Sequence, residues 1–260
     1  MMPAENKFIY HTHLEQYVGT EQAVAIPEGV EVIDSLAFRG NMDITAITFP
    51  ASIKEIAMDA FADFTNLETV AFACRAETLS IGYGSFRNCL TLQSVKLPEG
   101  TVSIYETAFK NCTALSDITL PNSIKYISEF AFPNCISLKK LKLPSNLQFI
   151  SRNCFQGCIG LTEIVIPEGI KDIWEHAFQA CESLSDVQIP SGVIHIGEET
   201  FAGCKSLSHI YIPNSVKSIG KKAFAGCAKG FVLESSNPQW KAYAQKEKLK
   251  FALIDDPYAK

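Results

Sequence analysis

The chain has 260 residues, of which 47% are hydrophobic and 20% are charged, and its formal net charge is -5. A chain of this composition can bury a core, which excludes a disordered chain or an acidic tail. The chain has 23 basic and 28 acidic residues, so it lacks the excess of positive charge that is typical of a nucleic-acid-binding domain. We therefore expect no binding to DNA or RNA.

The N-terminal sequence MMPAENKFIYHTHLEQY has neither the basic region nor the apolar stretch of a secretory signal. No apolar run elsewhere approaches the roughly 20 residues that cross a bilayer, so we expect no membrane insertion. The nine Cys residues are an odd number and cannot all pair within the chain. Together these features predict a reducing, cytoplasmic location. The alternative is a secreted or surface protein whose signal has been removed.

From residue 27 to residue 235 the chain repeats with a period of 23 residues. Pro recurs at this spacing except in the third unit, where Ala73 replaces it and a two-residue insertion follows near residues 76–80. Phe recurs with the same period, which gives nine units. The repeated residues are Phe38, Phe61, Phe86, Phe109, Phe132, Phe155, Phe178, Phe201 and Phe224.

Each unit is predicted to form one short parallel strand and one tight turn. Segments such as ITL, LKL and IVI alternate inward and outward side chains, and the Pro that follows them blocks further ladder bonding. Two residues after Phe stands Gly or Asn, except for Asp63 and Ala180, which predicts a positive φ there. Because so small a unit cannot bury its own apolar face, the units must stack into a repeat solenoid with one continuous core.

The motif AFxGCxxLxxIxIPxSVxxIG, seen in FAGCKSLSHIYIPNSVKSIG, resembles the BspA-like, or treponemal-type, leucine-rich repeat family. The resemblance implies a right-handed leucine-rich-repeat coil or horseshoe that is capped at both ends. By this likeness residues 1–26 form the N-terminal cap segment, residues 27–235 the nine repeats, and residues 236–260 a C-terminal helix and strand cap. Members of the family are mostly surface or secreted bacterial proteins that adhere to other proteins, with some intracellular members.

Seven of the Cys residues form a column, three residues after the repeated Phe. Stacked thiols point in parallel and do not converge as zinc ligands do, so we predict buried structural thiols and no metal or other cofactor. Cys74 and Cys154 lie outside this column and are predicted to be exposed.

His11 and His13 could pair as metal ligands on a strand, but no third ligand is nearby. His176, His195 and His209 have no Ser, Cys or carboxylate partner at a recognisable catalytic spacing, so we predict that the chain is not an enzyme.

Binding should involve the variable columns, because packing fixes the inward ones. Two outward columns of the predicted strands form a sheet face. Its candidate binding residues are Lys140, Lys142, Gln188, His209 and Tyr211.

A second candidate lies five or seven residues after Pro, on either side of an inward Ile. Here four consecutive units each carry one aromatic residue, on what is predicted to be the wall opposite the sheet face. This aromatic strip consists of Tyr105, Tyr126, Phe149 and Trp174. Such a strip is typical of a partner-binding surface, although rings that merely shield the wall by stacking on one another would give the same pattern.

The sequence therefore favours a non-catalytic protein-binding module, of adhesion type if it follows the family, with a protein partner that it does not identify. One alternative is a structural scaffold or spacer without a specific ligand. A third, from another class, is a hydrolase or other enzyme with its site at the C-terminal cap. The sequence leaves the oligomeric state open.

Overall fold

Most repeat units contribute two short strands in the computed structural model, which describes residues 8–73 and 75–257. In chain order the elements are β1 (Phe8–Tyr10), β2 (His13–Tyr17), β3 (Ala23–Ala25), β4 (Val32–Ile33), β5 (Ala46–Phe49), β6 (Glu55–Ile56), β7 (Thr69–Phe72), β8 (Arg75–Ile81), β9 (Ser94–Lys96), β10 (Glu99–Ile104), β11 (Asp117–Thr119), β12 (Tyr126–Ile127), β13 (Lys140–Lys142), β14 (Phe149–Ile150), β15 (Glu163–Val165), β16 (Asp172–Ile173), β17 (His195–Ile196), β18 (His209–Tyr211), β19 (Ser218–Ile219), β20 (Val232–Ser235), α1 (Trp240–Lys246) and β21 (Lys250–Leu253).

The strands that precede Pro form what we call the front wall. Its hydrogen-bonded sheets run in the orders β3-β5-β7-β9-β11, β13-β15 and β18-β20-β21, all parallel. One predicted strand, VQI at residues 187–189, is absent as a strand, and its unit joins the wall through a single bridge between Glu163 and Asp186. The parallel solenoid predicted from the repeat is confirmed.

The strands that follow Pro form a back wall, in the orders β1-β2-β4-β6-β8-β10-β12 and β14-β16-β17-β19. The prediction of one strand per unit was therefore incomplete. Back-wall strands such as Tyr126–Ile127 are only two residues long, which is too short for an alternating pattern. They form because consecutive units lie in register, as in the pairing of Ile150 with Ile173.

The turn around each repeated Phe forms a third row of hydrogen bonds between units. Positive φ occurs two residues before and two residues after Phe in every unit. At the position two residues after Phe, this includes the two residues that are neither Gly nor Asn, Asp63 (65°) and Ala180 (58°). The N–H of Phe109 donates to the carbonyl oxygen of Ala131 at 2.8 Å, and the N–H of Asn111 donates to that of Pro133 at 2.9 Å. The backbone amides of the turn are thus paired with the next unit, as burial requires.

The repeated Phe rings form a continuous ladder through the core. All nine are buried, and from Phe86 to Phe224 adjacent rings are stacked, with centroids 5.2 to 5.8 Å apart. Tyr17 continues the column before Phe38, at 5.2 Å, and Phe231 continues it after Phe224, at 5.2 Å. The predicted Phe column is confirmed, and it extends into the segments at both ends.

The irregular third unit stays in the stack. Ile81 pairs with Ile56 on one side and Ile104 on the other, while register shifts between β8 and β10 absorb the insertion. Ala73 replaces the usual Pro, and its N–H donates to the carbonyl oxygen of Phe49 at 3.1 Å, a bond that Pro cannot make.

The last unit is covered by α1. Trp240 and Ala244 of this helix are buried against the core. The hydroxyl of Tyr243 donates to the carbonyl oxygen of Gly220 at 2.9 Å, and the Glu247 carboxylate accepts the N–H of Lys222 at 3.2 Å. Burial raises the pKa of the Tyr243 phenol, with the nearby Glu247 carboxylate adding to the shift. These contacts satisfy polar groups that would otherwise end the stack unpaired.

Candidate functional site

Three of the four strip residues lie together on the back wall. Tyr126 begins β12 and Phe149 begins β14, at equivalent positions of adjacent units. Trp174 follows β16 directly, on the other side of the inward column. Tyr126 is 59% exposed and Trp174 is 37% exposed, whereas Phe149 is half-buried between them. We call the surface formed by Tyr126, Phe149 and Trp174 the aromatic groove.

Two hollows adjoin the aromatic groove, and both use the rings of Tyr126 and Phe149. The larger has a volume of about 410 Å³ and includes Trp174, Glu129 and Arg152 in its lining. The smaller has a volume of about 290 Å³ and is completed by Lys125, Asn146 and Gln148. The two hollows therefore flank the Tyr126 and Phe149 pair, one toward Trp174 and the other toward Lys125.

Small residues make room for these rings. Ser128 and Ser151 line the larger hollow and occupy the repeat position that holds Trp174 in the next unit. The hydroxyl of Ser151 donates to the carbonyl oxygen of Ile127, so it is paired with the backbone and stays close to the wall. Because these side chains are short, they leave a hollow between the rings of Tyr126, Phe149 and Trp174.

The fourth strip residue, Tyr105, lies outside the groove. Its ring stacks on that of Tyr83, with centroids 5.2 Å apart and planes inclined by 22°. Tyr83 is 46% exposed and was missed in the sequence because the insertion displaces its unit from the 23-residue register. Aligning Ile81 with Ile104 would have placed it beside Tyr105.

One rim of the groove carries a ladder of paired charges. The Nε of Arg152 lies 2.7 Å from a carboxylate oxygen of Glu175, and its Nη1 lies 3.9 Å from one of Glu129. The Glu175 carboxylate raises the pKa of Arg152 through this hydrogen bond. Partial burial opposes ionisation of Glu175, but the hydrogen bond from Arg152, a backbone hydrogen bond and the nearby positive charges together outweigh it and lower the pKa of Glu175. Arg152 is thus neutralised by carboxylates of its own rim.

The front-wall candidates are dispersed. Lys140 pairs with Glu163 on the neighbouring strand at 2.8 Å, and this hydrogen bond raises the pKa of Lys140. Lys142, Gln188 and His209 are exposed. A shallow hollow of about 450 Å³ includes Lys140 and Lys142 in its lining, but neither Gln188 nor His209.

The prediction that Tyr211 is a surface aromatic residue is wrong. Tyr211 is only 4% exposed, and its hydroxyl lies 3.0 Å from Oγ of Ser236 in the chain that leaves β20. The segment beyond the last repeat covers the ring, which the repeat pattern does not show. Tyr211 also lines a cavity of about 610 Å³ together with Glu168, Ser191 and Asp256.

That cavity adjoins Asp256 of the C-terminal segment, in the region where the enzyme alternative would place its site. The hydroxyl of Ser191 donates to Glu168 at 3.2 Å, and no His is among the described residues that line the cavity. A Ser and His pair of hydrolase type is therefore not assembled there.

Six of the seven thiols of the column are buried as predicted, Cys227 is half-buried, and all seven are free. Each thiol donates to the carbonyl oxygen of the repeated Phe one unit earlier, with sulfur to oxygen distances of 3.1 to 3.3 Å. Cys154 was expected to be exposed but is 1% exposed, because it fills the inward small-residue position that holds Ala131 and Ala177 in adjacent units. Cys74 lies outside the described residues. In the described part of the chain, no three His, Cys, Asp or Glu side chains come together as a metal site.

This geometry defines a leucine-rich-repeat solenoid with an exposed aromatic groove on one wall. The family model for the BspA-type leucine-rich repeat region, which comprises six copies of the repeat, matches residues 16–115 and 102–230. Because the match covers more than half of the sequence, the chain belongs to the BspA-type leucine-rich repeat family.

Several solved structures of leucine-rich repeat proteins are similar to this chain. A leucine-rich repeat protein of T. pallidum is 24% identical with a TM-score of 0.51, over 98% of this chain and 99% of that one. A leucine-rich repeat protein from Bacteroides ovatus is 23% identical with a TM-score of 0.47, over 94% of each chain. A leucine-rich cell surface protein from Faecalibacterium prausnitzii is 21% identical with a TM-score of 0.39, over 92% and 89%.

Among curated protein sequences, none is significantly similar to this chain. The family and the solved relatives are repeat proteins, and no enzyme family is indicated. In the part of the chain that the structure describes, no helix is both long and apolar enough to cross a membrane.

Proposed function

We propose that this chain is a non-catalytic protein-binding module and that the aromatic groove is its contact surface. The observation that supports it most directly is the grouping of Tyr126, Phe149 and Trp174 around two hollows on the back wall. Large aromatic side chains contribute most of the binding energy in protein interfaces, particularly where they stand beside a concave surface.

The arrangement of the rings favours a partner over mere shielding of the wall. Rings that only protected the wall would stack on one another, as Tyr105 and Tyr83 do. In the described part of the chain, no two rings of the aromatic groove are stacked in this way. Their faces are left available to another molecule, which favours a binding module over a scaffold without a ligand.

The wider biological setting is part of the same proposal. An adhesion role would agree with the name of one solved relative, the cell surface protein from Faecalibacterium prausnitzii. A reducing, cytoplasmic location would agree with the free thiols of the Cys column. Counting the reduced thiols in protein from its native host distinguishes the two, because disulfides among Cys89 to Cys227 would contradict the cytoplasmic proposal.

The test of the groove uses a library of displayed random peptides and two matched variants. Trp174→Ser removes a groove ring, and Tyr105→Ser removes a ring outside the groove at the equivalent repeat position, which Ser128 and Ser151 occupy in other units. The unvaried protein and Tyr105→Ser should enrich peptides, and binding of those peptides to Trp174→Ser should weaken at least tenfold, as expected for an interface anchor.

Two results would contradict the proposal. Failure of the unvaried protein to enrich any peptide would favour the scaffold interpretation. The other result is a set of peptides that bind Trp174→Ser as tightly as they bind the unvaried protein but fail to bind Lys142→Ala. That result would place the contact on the front wall, where Lys142, Gln188 and His209 are exposed. A thermal unfolding midpoint for each variant shows that the fold is retained.

A further inference from the structure

We infer that the aromatic groove takes an acidic peptide segment, in which a bulky apolar side chain lies among Tyr126, Phe149 and Trp174 and a carboxylate about three residues away meets Lys125 and Lys171. This inference rests on the protein-binding function proposed above and adds the chemistry of the partner. It follows from how charge is distributed on the two rims of the groove.

The rim toward Lys125 is basic. Lys125, Gln148 and Lys171 occupy equivalent positions in three successive units, and the N–H of Lys171 donates to the carbonyl oxygen of Gln148 at 2.7 Å. Both Lys side chains are exposed. Neither forms an ion pair with another residue of the described chain. This rim therefore carries two Lys charges that form no ion pair among the described residues. Asp172, which is in register with Phe149, adds one carboxylate beside Lys171, and the Nζ of Lys171 lies toward Gly192 of the next unit.

The opposite rim differs from the Lys rim in its charge. Its one cation, Arg152, already contacts Glu175 at 2.7 Å and Glu129 at 3.9 Å. Its own carboxylates therefore occupy the guanidinium, and the rim as a whole carries a small negative charge. A partner with carboxylates is attracted to the Lys rim and gains nothing from the other, so its carboxylates lie on the Lys side of the groove.

The smaller hollow connects the basic rim to the rings. Lys125 and Gln148 line it together with Tyr126 and Phe149. The carboxamide of Gln148 makes no hydrogen bond to another described side chain or backbone group, so it is free to pair with a peptide backbone. Lys171 and Trp174 are three residues apart on one extended segment, which spans about 10 Å. An extended peptide covers the same distance in about three residues.

The experiment compares peptides selected on the unvaried protein with the same peptides bearing Asn or Gln in place of Asp or Glu. All are synthesised with acetylated N-termini and amidated C-termini, so that only side-chain carboxylates are present. Binding is measured by fluorescence anisotropy against the unvaried protein, Lys125→Gln/Lys171→Gln and the matched surface variant Lys96→Gln/Lys229→Gln, which changes two exposed Lys residues away from the groove.

The inference expects the selected peptides to contain Asp or Glu within about three residues of a bulky apolar residue. Neutralising the peptide carboxylates or the Lys125 and Lys171 pair should weaken binding about threefold to tenfold, as expected for exposed charge pairs, and the matched surface variant should bind as before. Raising the salt from 50 to 500 mM should weaken binding to the unvaried protein and leave the Lys125→Gln/Lys171→Gln variant little changed.

The outcomes separate this inference from the proposed function. Neutral or basic peptides that depend on Trp174 but not on Lys125 and Lys171 would overturn the acidic partner and leave the protein-binding function standing. Absence of any selected peptide would overturn both. Peptides whose binding depends on Glu129 rather than on the Lys rim would place the charged contact on the other side of the groove and also contradict the inference.

Discussion

The thiol of Cys135 donates a hydrogen bond to the carbonyl oxygen of Phe109 in the preceding unit, at 3.2 Å. The same oxygen also accepts the backbone N–H of Cys112 at 3.2 Å. The Cys column therefore has a structural role that composition alone does not reveal, because each thiol joins two units by a side-chain bond inside the core. Removing one thiol should weaken the interface between the units that it joins.

We expect Cys135→Ala to destabilise the protein by about 1 to 2 kcal/mol, through the lost hydrogen bond and the small cavity that remains. Urea unfolding followed by circular dichroism measures this change. The matched variant is Cys227→Ala, because Cys227 makes the same bond to Phe201 at 3.3 Å but is only half-buried in the last unit. It should be destabilised less, and equal losses would argue against burial as the cause.

The buried thiols should also make the stability of the protein depend on pH. Burial raises the pKa of Cys112 to about 12 and that of Cys227 to about 12. Unfolding lets such a thiol ionise near its ordinary value of about 8.5. The raised pKa therefore stabilises the fold fully below about pH 8.5 and progressively less as the pH rises toward 12. Between pH 9 and pH 11 the free energy of unfolding should fall less steeply in Cys112→Ala than in the unvaried protein.

Thiol reactivity gives an independent measurement of the same property. Because the thiolate is the reactive form, buried thiols with raised pKa values should resist modification. With an aromatic disulfide reagent at pH 8, the column thiols and Cys154 should react in the native protein many times more slowly than in 6 M guanidinium chloride. Rapid native labelling of Cys154 would contradict its burial.

Much of the fold could be predicted because the Pro, Phe and Cys columns each repeat one packing environment. Features that depend on contacts between distant segments were less accessible. Back-wall strands of two residues, such as Phe149–Ile150, are formed by neighbouring units and have no pattern of their own. Tyr211 is covered by Ser236 beyond the last repeat, and the insertion before Ile81 hides the pairing of Tyr83 with Tyr105.

The grouping of the aromatic side chains could be predicted within one column of the repeat but not across two columns. Tyr126 and Phe149 share a column and lie together, and Trp174 joins them from another column because Ser151 leaves space between them. The pairing of Arg152 with Glu175 also could not be predicted, since residues 23 apart in sequence become neighbours only when the units stack in register.

The Phe ladder predicts a large effect at its centre. Phe132 is fully buried and stacks on Phe109 at 5.2 Å and on Phe155 at 5.5 Å. Phe132→Ala should cost about 3 to 5 kcal/mol through lost burial and the resulting cavity, and Phe132→Leu should cost markedly less. Thermal unfolding measures both variants. An unchanged midpoint for Phe132→Ala would be incompatible with a ladder that stabilises the core.

At one of the positive-φ positions we predict a substitution that stabilises the protein. At the position two residues after Phe, Asp63, Asn88, Asn111 and Asn134 are joined side chain to side chain, at 2.6, 2.7 and 2.9 Å in turn. Ala180 holds the same backbone conformation, with φ of 58°, but has no such side-chain bond. A left-handed Ala is strained by roughly 1 to 2 kcal/mol relative to Gly, of which part is offset because Gly gains more freedom on unfolding.

Ala180→Gly should therefore stabilise the protein by about 0.5 to 1 kcal/mol. The matched variant is Ala177→Gly, in the same turn at a residue that is buried and not among those with positive φ. There the substitution relieves no strain, removes a buried methyl group and adds freedom to the unfolded chain, so it should destabilise by about 1 kcal/mol or more. Urea unfolding midpoints give both signs in one experiment, and destabilisation by Ala180→Gly would show that the strained turn is not a cost to this fold.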